Sequence, residues 1–242
     1  MNRHEPNSKS EFDRYAGKYE EALQHGLRVS GEDSDYFAKG RMEWLRDRIN
    51  RISPGEELKS GMDFGCGTGN SIGHLSEILG LKKIVGLDTS EESLHRARQR
   101  YNQHDFSFAN PFAYRPNGDL DLAFCNGVFH HIPVEARPKA LEVIHSSLRP
   151  GGWLAFWENN PWNPGTRYVM SRIPFDHDAI TLSIAEARQM ICENKFLVLS
   201  VDTRFYFPRA VKWLRPVEPW LCKLPFGAQY LVLAQKPKEP SP

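Results

Sequence analysis

Long apolar runs, paired cysteines and an excess of charge of either sign are all missing from this chain of 242 residues. No stretch approaches the roughly 18 consecutive apolar residues that a bilayer-spanning helix needs. The opening residues, 1–10, are too polar for the core of a secretion signal. Both observations lead us to expect a cytoplasmic protein with no transmembrane segment. Cys66, Cys125, Cys192 and Cys222 are widely separated, with neither paired-cysteine spacing nor a companion histidine cluster. A disulfide framework and a zinc site are therefore not expected, and the four read as free buried thiols. With 31 basic against 30 acidic residues, the net charge of +1 argues against a broad grip on a polyanion, so nucleic acid is not expected as a partner. Internal repeats and low-complexity tracts are also missing.

What remains is an ordinary globular composition, 40% hydrophobic and 25% charged, of a length that one core can serve. We expect a single domain over 1–242, with N-terminal helices at 1–57, a nucleotide-binding core at 58–158 and a substrate-side segment at 159–242. Its most informative stretch is Met62-Asp63-Phe64-Gly65-Cys66-Gly67-Thr68-Gly69, an apolar run ending in a three-glycine turn. Glycines at alternate positions let the backbone turn sharply and approach a ligand closely. Asp88 follows nineteen residues after Gly69, at the end of Ile84-Val85-Gly86-Leu87. A carboxylate at that strand end accepts hydrogen bonds from ribose hydroxyls in doubly wound nucleotide sites.

Periodicity along the chain alternates between extended and helical. Helices are predicted at 11–24, where Phe12, Tyr15, Ala16, Tyr19 and Leu23 share a face, and at 35–52. Strands at 62–64 and 83–87 enclose a helix at 71–79, giving a βαβ unit. Thr89 followed by Glu92 matches a capping box for a helix at 90–101. Further strands are expected at 106–109, 121–126, 153–157, 197–207 and 229–235, with helices starting at Pro138 and covering 184–193. Arg149-Pro150-Gly151-Gly152 reads as a stop-and-turn signal.

At Asp63-x-Gly65-x-Gly67-x-Gly69, Asp88, Phe129-His130-His131-Ile132 and Leu148-Arg149-Pro150-Gly151-Gly152, the chain resembles the class I S-adenosylmethionine-dependent methyltransferases, most of all their ubiquinone-biosynthesis-like branch. Phe12-Asp13-x-x-Ala16-x-x-Tyr19 extends the likeness toward the N-terminus. The resemblance implies a doubly wound, Rossmann-like α/β fold: a seven-stranded sheet of order 3-2-1-4-5-7-6, its last strand antiparallel, under an N-terminal helical lid. It implies S-adenosylmethionine as methyl donor, S-adenosylhomocysteine as product and a small-molecule acceptor. By the same likeness, Asp63 fixes the loop and the methionine amino group, Gly65, Cys66, Gly67 and Gly69 approach the methionine and ribose, and Asp88 with Thr89 holds the ribose. Asn126 and Gly127 flank the methionyl portion, and Tyr19 covers the cofactor from the lid. Many relatives carry an aspartate near the adenine after the third strand; this chain offers Asn110, whose side-chain oxygen accepts a hydrogen bond.

For an acceptor hydroxyl, the candidate bases are His131, His130 and Glu158, with loop-structuring roles as the alternative. Asn159 and Asn160, in the polar loop after strand five, are candidate substrate contacts, as are Tyr15 and Arg172; turn-building is the competing explanation for the asparagines. His177-Asp178 lacks further spaced ligands, and no metal is expected. The segment 208–227 carries Trp213 and Trp220 among Arg209, Lys212, Arg215 and Lys223. It reads as a helix packed on its own domain in preference to a membrane-surface element. Two other functions share this pattern, a nicotinamide-dependent oxidoreductase and a noncatalytic scaffold. The spacing of Gly67 and Gly69 around Thr68 alone departs from the dinucleotide fingerprint, which puts two residues there.

Overall fold

The computed structural model describes residues 26–173, 176 and 179–238. The predicted helix at 11–24, with Tyr15 and Tyr19, lies outside them, as do His177 and Asp178.

The first described helix, α1 (Ser34–Ile52), starts on Asp33, whose side chain accepts from the Tyr36 amide, and buries Ala38, Met42, Leu45 and Ile49. The parallel core then alternates as the periodicity predicts: β1 (Ser60–Phe64), α2 (Ile72–Leu79), β2 (Lys83–Leu87), α3 (Glu91–Arg100), β3 (Phe106–Ala109) and β4 (Leu120–Asn126). After two 3₁₀ turns come α4 (Arg137–Ser147), β5 (Leu148–Asn159), α5 (Pro164–Met170), α6 (Ile184–Glu193) and β6 (Leu197–Arg204). A 3₁₀ segment (Arg209–Val217) and the short α7 (Glu218–Leu221) lead into β7 (Gln229–Gln235). The seven strands form one sheet of order β3-β2-β1-β4-β5-β7-β6, with β7 antiparallel to both neighbours.

Successive side chains of a strand point to opposite faces, and the central strands of this sheet are dry on both. On one, Leu122, Phe124, Trp153, Ala155 and Trp157 pack with Met42, Leu45 and Ile49 of α1, Leu75 of α2 and Leu94 of α3. On the other, Ala123, Cys125, Leu154 and Phe156 pack with Leu141 and Ile144 of α4 and Ala187 and Ile191 of α6. This two-sided burial explains why β4 and β5 read as continuous apolar runs.

Four local expectations are corrected. Cys192 is exposed, unlike the buried Cys66, Cys125 and Cys222, because it lies on the outer side of α6. The cap of α3 is Ser90, whose side chain accepts from the Ser93 amide; Thr89 is exposed. The Ser90 hydroxyl wins because the chain is still extended there, while Asp88 is fastened to the loop before it. The helix that opens near Pro138 does stop just before Arg149-Pro150-Gly151-Gly152, at Ser147, but no turn follows: β5 runs through these residues, with the register slipping between the Leu120 and Leu122 pairings, as a bulge does. β6 stops at Arg204, before Phe205 takes a positive φ of 63°.

Candidate functional site

The carboxyl ends of β1, β2, β4 and β5 lie along one edge of the sheet, where doubly wound folds hold ligands. The antiparallel β7 begins there as well, because Gln229 pairs with Asn159. After Phe64 the chain turns through Gly65, Gly67 and Gly69 at φ of 79°, 52° and 84°, values that favour glycine. A β-carbon on Gly65 would sit 2.2 Å from Val128 Cγ2, whereas one on Gly67 would meet nothing within 4 Å. Gly65 therefore serves packing, and Gly67 keeps its outer side clear. The Gly65 and Cys66 amides donate to the Leu87 carbonyl at 2.7 and 2.9 Å, tying the loop to the end of β2. The Cys66 thiol is buried, and its ionisation is pushed well upward by that burial.

Asp88 bridges two segments. Its Oδ2 accepts from the Gly67 amide at 2.8 Å and its Oδ1 from the Ser90 amide at 2.9 Å. Asp63 lies behind the loop, 3% exposed. Burial and the neighbouring Asp88 raise its pKa to about 7, against the opposing Arg41. Across the edge, Asn126 Oδ1 is buried with no hydrogen-bond partner among the described residues, and Gly127, at φ 65°, donates to the Trp157 carbonyl. A cradle open at Gly67, two carboxylates and an orphaned amide oxygen fit the cofactor that the motifs imply. Asn110 is a weaker member: its Oδ1 already accepts from the Phe112 amide at 3.0 Å in a local turn.

Beside this cradle opens a cleft of about 320 Å³, bordered by Asn126 and Gly127 and walled mainly by apolar side chains, including Val29, Phe37, Val169, Met170, Phe205 and Phe207. His130, His131, Asp176 and Asn159 also line it. His130 is 3% exposed. Its Nδ1 donates to Glu158 Oε2 at 2.6 Å, and its Nε2 lies 3.6 Å from Asp176 Oδ1. Burial opposes the imidazolium, but the two carboxylates prevail and its pKa is pushed up to about 10. Glu158 is fully enclosed; burial alone would keep it neutral, yet His130 and the Phe129 and Asn159 amides hold its carboxyl below the usual range. His131 Nε2 lies 3.3 Å from Asp176 Oδ1.

The structure thus brings His130, His131 and Glu158 together, but Glu158 does not face the cleft. Asn159 is at the wall, its Oδ1 accepting from Gln229 Nε2 at 3.1 Å. Asn160 is turned inward, its amide donating to the Pro225 and Gly227 carbonyls at 2.8 Å, so it braces the loop. Arg172 is exposed, donates to the Tyr168 hydroxyl at 2.7 Å, and is not part of the wall.

Sequence reasoning missed Arg41 and Gln229. Arg41 donates to Gln229 Oε1 at 2.9 Å, extending the chain of polar contacts from Asn159 into the cleft. Its signal was legible, since it shares the buried stripe of α1 with Ala38, Met42 and Leu45. The segment after β6 is a kinked 3₁₀ stretch and a short helix in place of the one helix expected, and it meets the rest of the fold through Arg215, which pairs with Glu32 at 2.9 Å, and Glu218, which lies 3.6 Å from the Arg204 guanidinium.

A family model described as a methyltransferase domain matches residues 62–154. Trans-aconitate 2-methyltransferase of Azoarcus sp. (strain BH72) is 33% identical over 145 residues, 59% of this chain and 56% of that protein. The protein of that name from Rhodopseudomonas palustris (strain BisB18) is 30% identical over 154 residues, 64% of this chain and 59% of that one. The chain thus spans little more than half the length of these curated relatives, and the name they carry is not that of the ubiquinone-biosynthesis-like branch. Among solved structures, a methyltransferase of Haloferax volcanii in complex with the Trm112 methyltransferase activator is 21% identical, with a TM-score of 0.62 over 96% of this chain and 100% of that one. An S-adenosylmethionine-dependent methyltransferase from Thermotoga maritima is 17% identical, with a TM-score of 0.61 over 93% and 97%. At these identities the structures speak for the fold. Motifs, the family model over residues 62–154, the relatives and the sheet order together support a class I S-adenosylmethionine-dependent methyltransferase.

Proposed function

We propose that this protein transfers the methyl group of S-adenosylmethionine to a small-molecule acceptor bound in the apolar cleft, releasing S-adenosylhomocysteine. One observation carries the reading: the cradle at Gly67 and Asp88 and the cleft meet at Asn126 and Gly127. The cofactor, when bound, supplies an electrophilic methyl on a sulfonium. The acceptor's lone pair forms the new bond to carbon as the carbon–sulfur bond breaks, its electron pair going to sulfur. Alignment and exclusion of water supply much of the rate in such a displacement. Asp88 would hold the ribose, Asp63 and Asn126 the methionyl end, and the cleft walls the acceptor.

The relatives' name makes trans-aconitate the first acceptor to try. A carboxylate nucleophile has no proton to remove, which agrees with His130 being locked between two acids. Arg41, which lines the cleft and donates to Gln229 Oε1, would face the anionic group. The largely apolar lining also suits an acid on a hydrophobic body, so amphipathic monocarboxylic acids belong in the same panel.

Separate titrations of the purified protein with S-adenosylhomocysteine and with NAD test the donor. Binding of the former alone is expected, and binding of NAD alone would reject the proposal. Asp88→Ala is expected to weaken S-adenosylhomocysteine roughly 10- to 150-fold, the loss of hydrogen bonds to a charged acceptor. Unchanged affinity would remove Asp88 from the site.

A further inference from the structure

Three side chains on the acceptor side are unused by methyl transfer as described above. One ring nitrogen each of His130 and His131 and a carboxylate oxygen of Asp176 lie within 4.8 Å of one another at the wall of the cleft. His130 Nε2 and His131 Nε2 are 3.6 and 3.3 Å from the same oxygen, Asp176 Oδ1. Ligands of a tetrahedral zinc-like ion, at about 2.0–2.2 Å from the metal, stand about 3.3–3.5 Å apart. The spacing present in the structure is therefore close to the spacing an ion requires.

We propose that His130, His131 and Asp176 form a site for one divalent transition-metal ion, with its remaining coordination directed into the cleft to take an oxygen or nitrogen of the acceptor. Two imidazoles and one carboxylate suit zinc, cobalt, nickel or ferrous ions and disfavour magnesium and calcium, which prefer oxygen ligands. A second feature points the same way. His130 turns its other nitrogen, Nδ1, onto Glu158 Oε2 at 2.6 Å. A carboxylate behind a ligating histidine is the arrangement that fixes ring orientation and raises ligand basicity at metal sites. Glu158 is itself held by the Phe129 amide at 2.8 Å, so the bracket behind His130 is rigid. The sequence concealed the site because its third ligand is 45 positions beyond His131.

The site is independent of donor binding, so its test needs neither cofactor nor turnover. Tag-free full-length protein, stripped with chelator, is titrated with cobalt(II) and then with zinc(II) by calorimetry, visible absorption and thermal unfolding. One equivalent should bind, with visible bands of low-symmetry cobalt coordination and a rise in Tm as expected for a ligand that prefers the native state. Asp176→Asn and His131→Ala should each weaken binding by about tenfold or more, and Glu158→Gln by about 10- to 100-fold without changing the stoichiometry. Cys192→Ser, which removes the exposed thiol, should leave binding unchanged. Cooperative unfolding of each variant without metal shows that it folds. No saturable binding overturns the proposal, as does binding lost in Cys192→Ser or retained in folded Asp176→Asn and His131→Ala.

Discussion

The two halves of the ligand-binding edge are built in opposite ways. The cradle at β1 and β2 is made of backbone: loop amides, positive-φ glycines and two carboxylates contributed within 26 residues of sequence, from Asp63 to Asp88. The cleft beside β4 and β5 is made of side chains drawn from α1, the α5 region, the stretch after β6 and the start of β7. Backbone recognition depends on a few residue types at fixed spacing and leaves little freedom to substitute. Side-chain walls need only shape and polarity, so their residues are replaceable one at a time. The difference teaches where donor recognition and acceptor choice are stored.

Four substitutions sharpen this contrast, in order of falling effect. Gly65→Ala should be the most damaging. Its β-carbon would press on Val128 at 2.2 Å in a left-handed backbone. Strain and overpacking together should cost about 2–5 kcal/mol, read as a lowered urea midpoint and loss of S-adenosylhomocysteine binding; a stable, binding variant would break the claim that Val128 leaves no room for a β-carbon at Gly65.

Asp63→Asn should act through pH. The folded protein keeps a proton on Asp63 up to about pH 7, whereas the unfolded chain releases it near the ordinary value of 3.8. The folded state thus binds more protons between those values, and the wild type loses stability as pH rises from about 4 to about 7. The ligand-free variant escapes this loss. Its Tm should exceed that of the wild type at about pH 8, by at most about 4 kcal/mol of stability, with the gap closing near pH 4. An equal gap at both pH values would refute the buried-carboxylate account.

On the cleft side, Met170→Ala trims a wall residue that is 7% exposed. We expect KM for the acceptor to rise by roughly fivefold, about 1 kcal/mol of lost apolar contact, with S-adenosylhomocysteine affinity unchanged. A matching loss of donor affinity would erase the division between the two halves. Least of all should change in Trp220→Ala. Trp220 is 81% exposed, and surface substitutions of this kind stay within about 0.5 kcal/mol; thermal unfolding checks it.

Much of the fold was legible in residue order, because local rules wrote it. β2, β3, α6 and β7 fall at the bounds that periodicity and turn residues predict. The bulge in β5 escaped because Pro150 and Gly151 are turn residues wherever they occur, and the neighbouring strand alone makes them a bulge. In the site, the glycine loop and Asp88 could be read from spacing. Arg41 could be read only as a member of the buried stripe of α1; its pairing with Gln229 could not, since Gln229 meets it from 188 residues away. Asn160 shows the reverse error, a residue type suited to ligands that is spent on the Pro225 and Gly227 carbonyls.

Sequence alone determined the α/β alternation, the glycine turn and its acidic partner, because each follows from short-range backbone sterics and hydrogen bonding that act within a few tens of residues. Tertiary structure decided the walls of the cleft, the capture of His130 between Glu158 and Asp176 and the inward turn of Asn160. Those depend on which distant side chains share a dry space, where the cost of burying a charge or an amide is set by the partner that packing delivers.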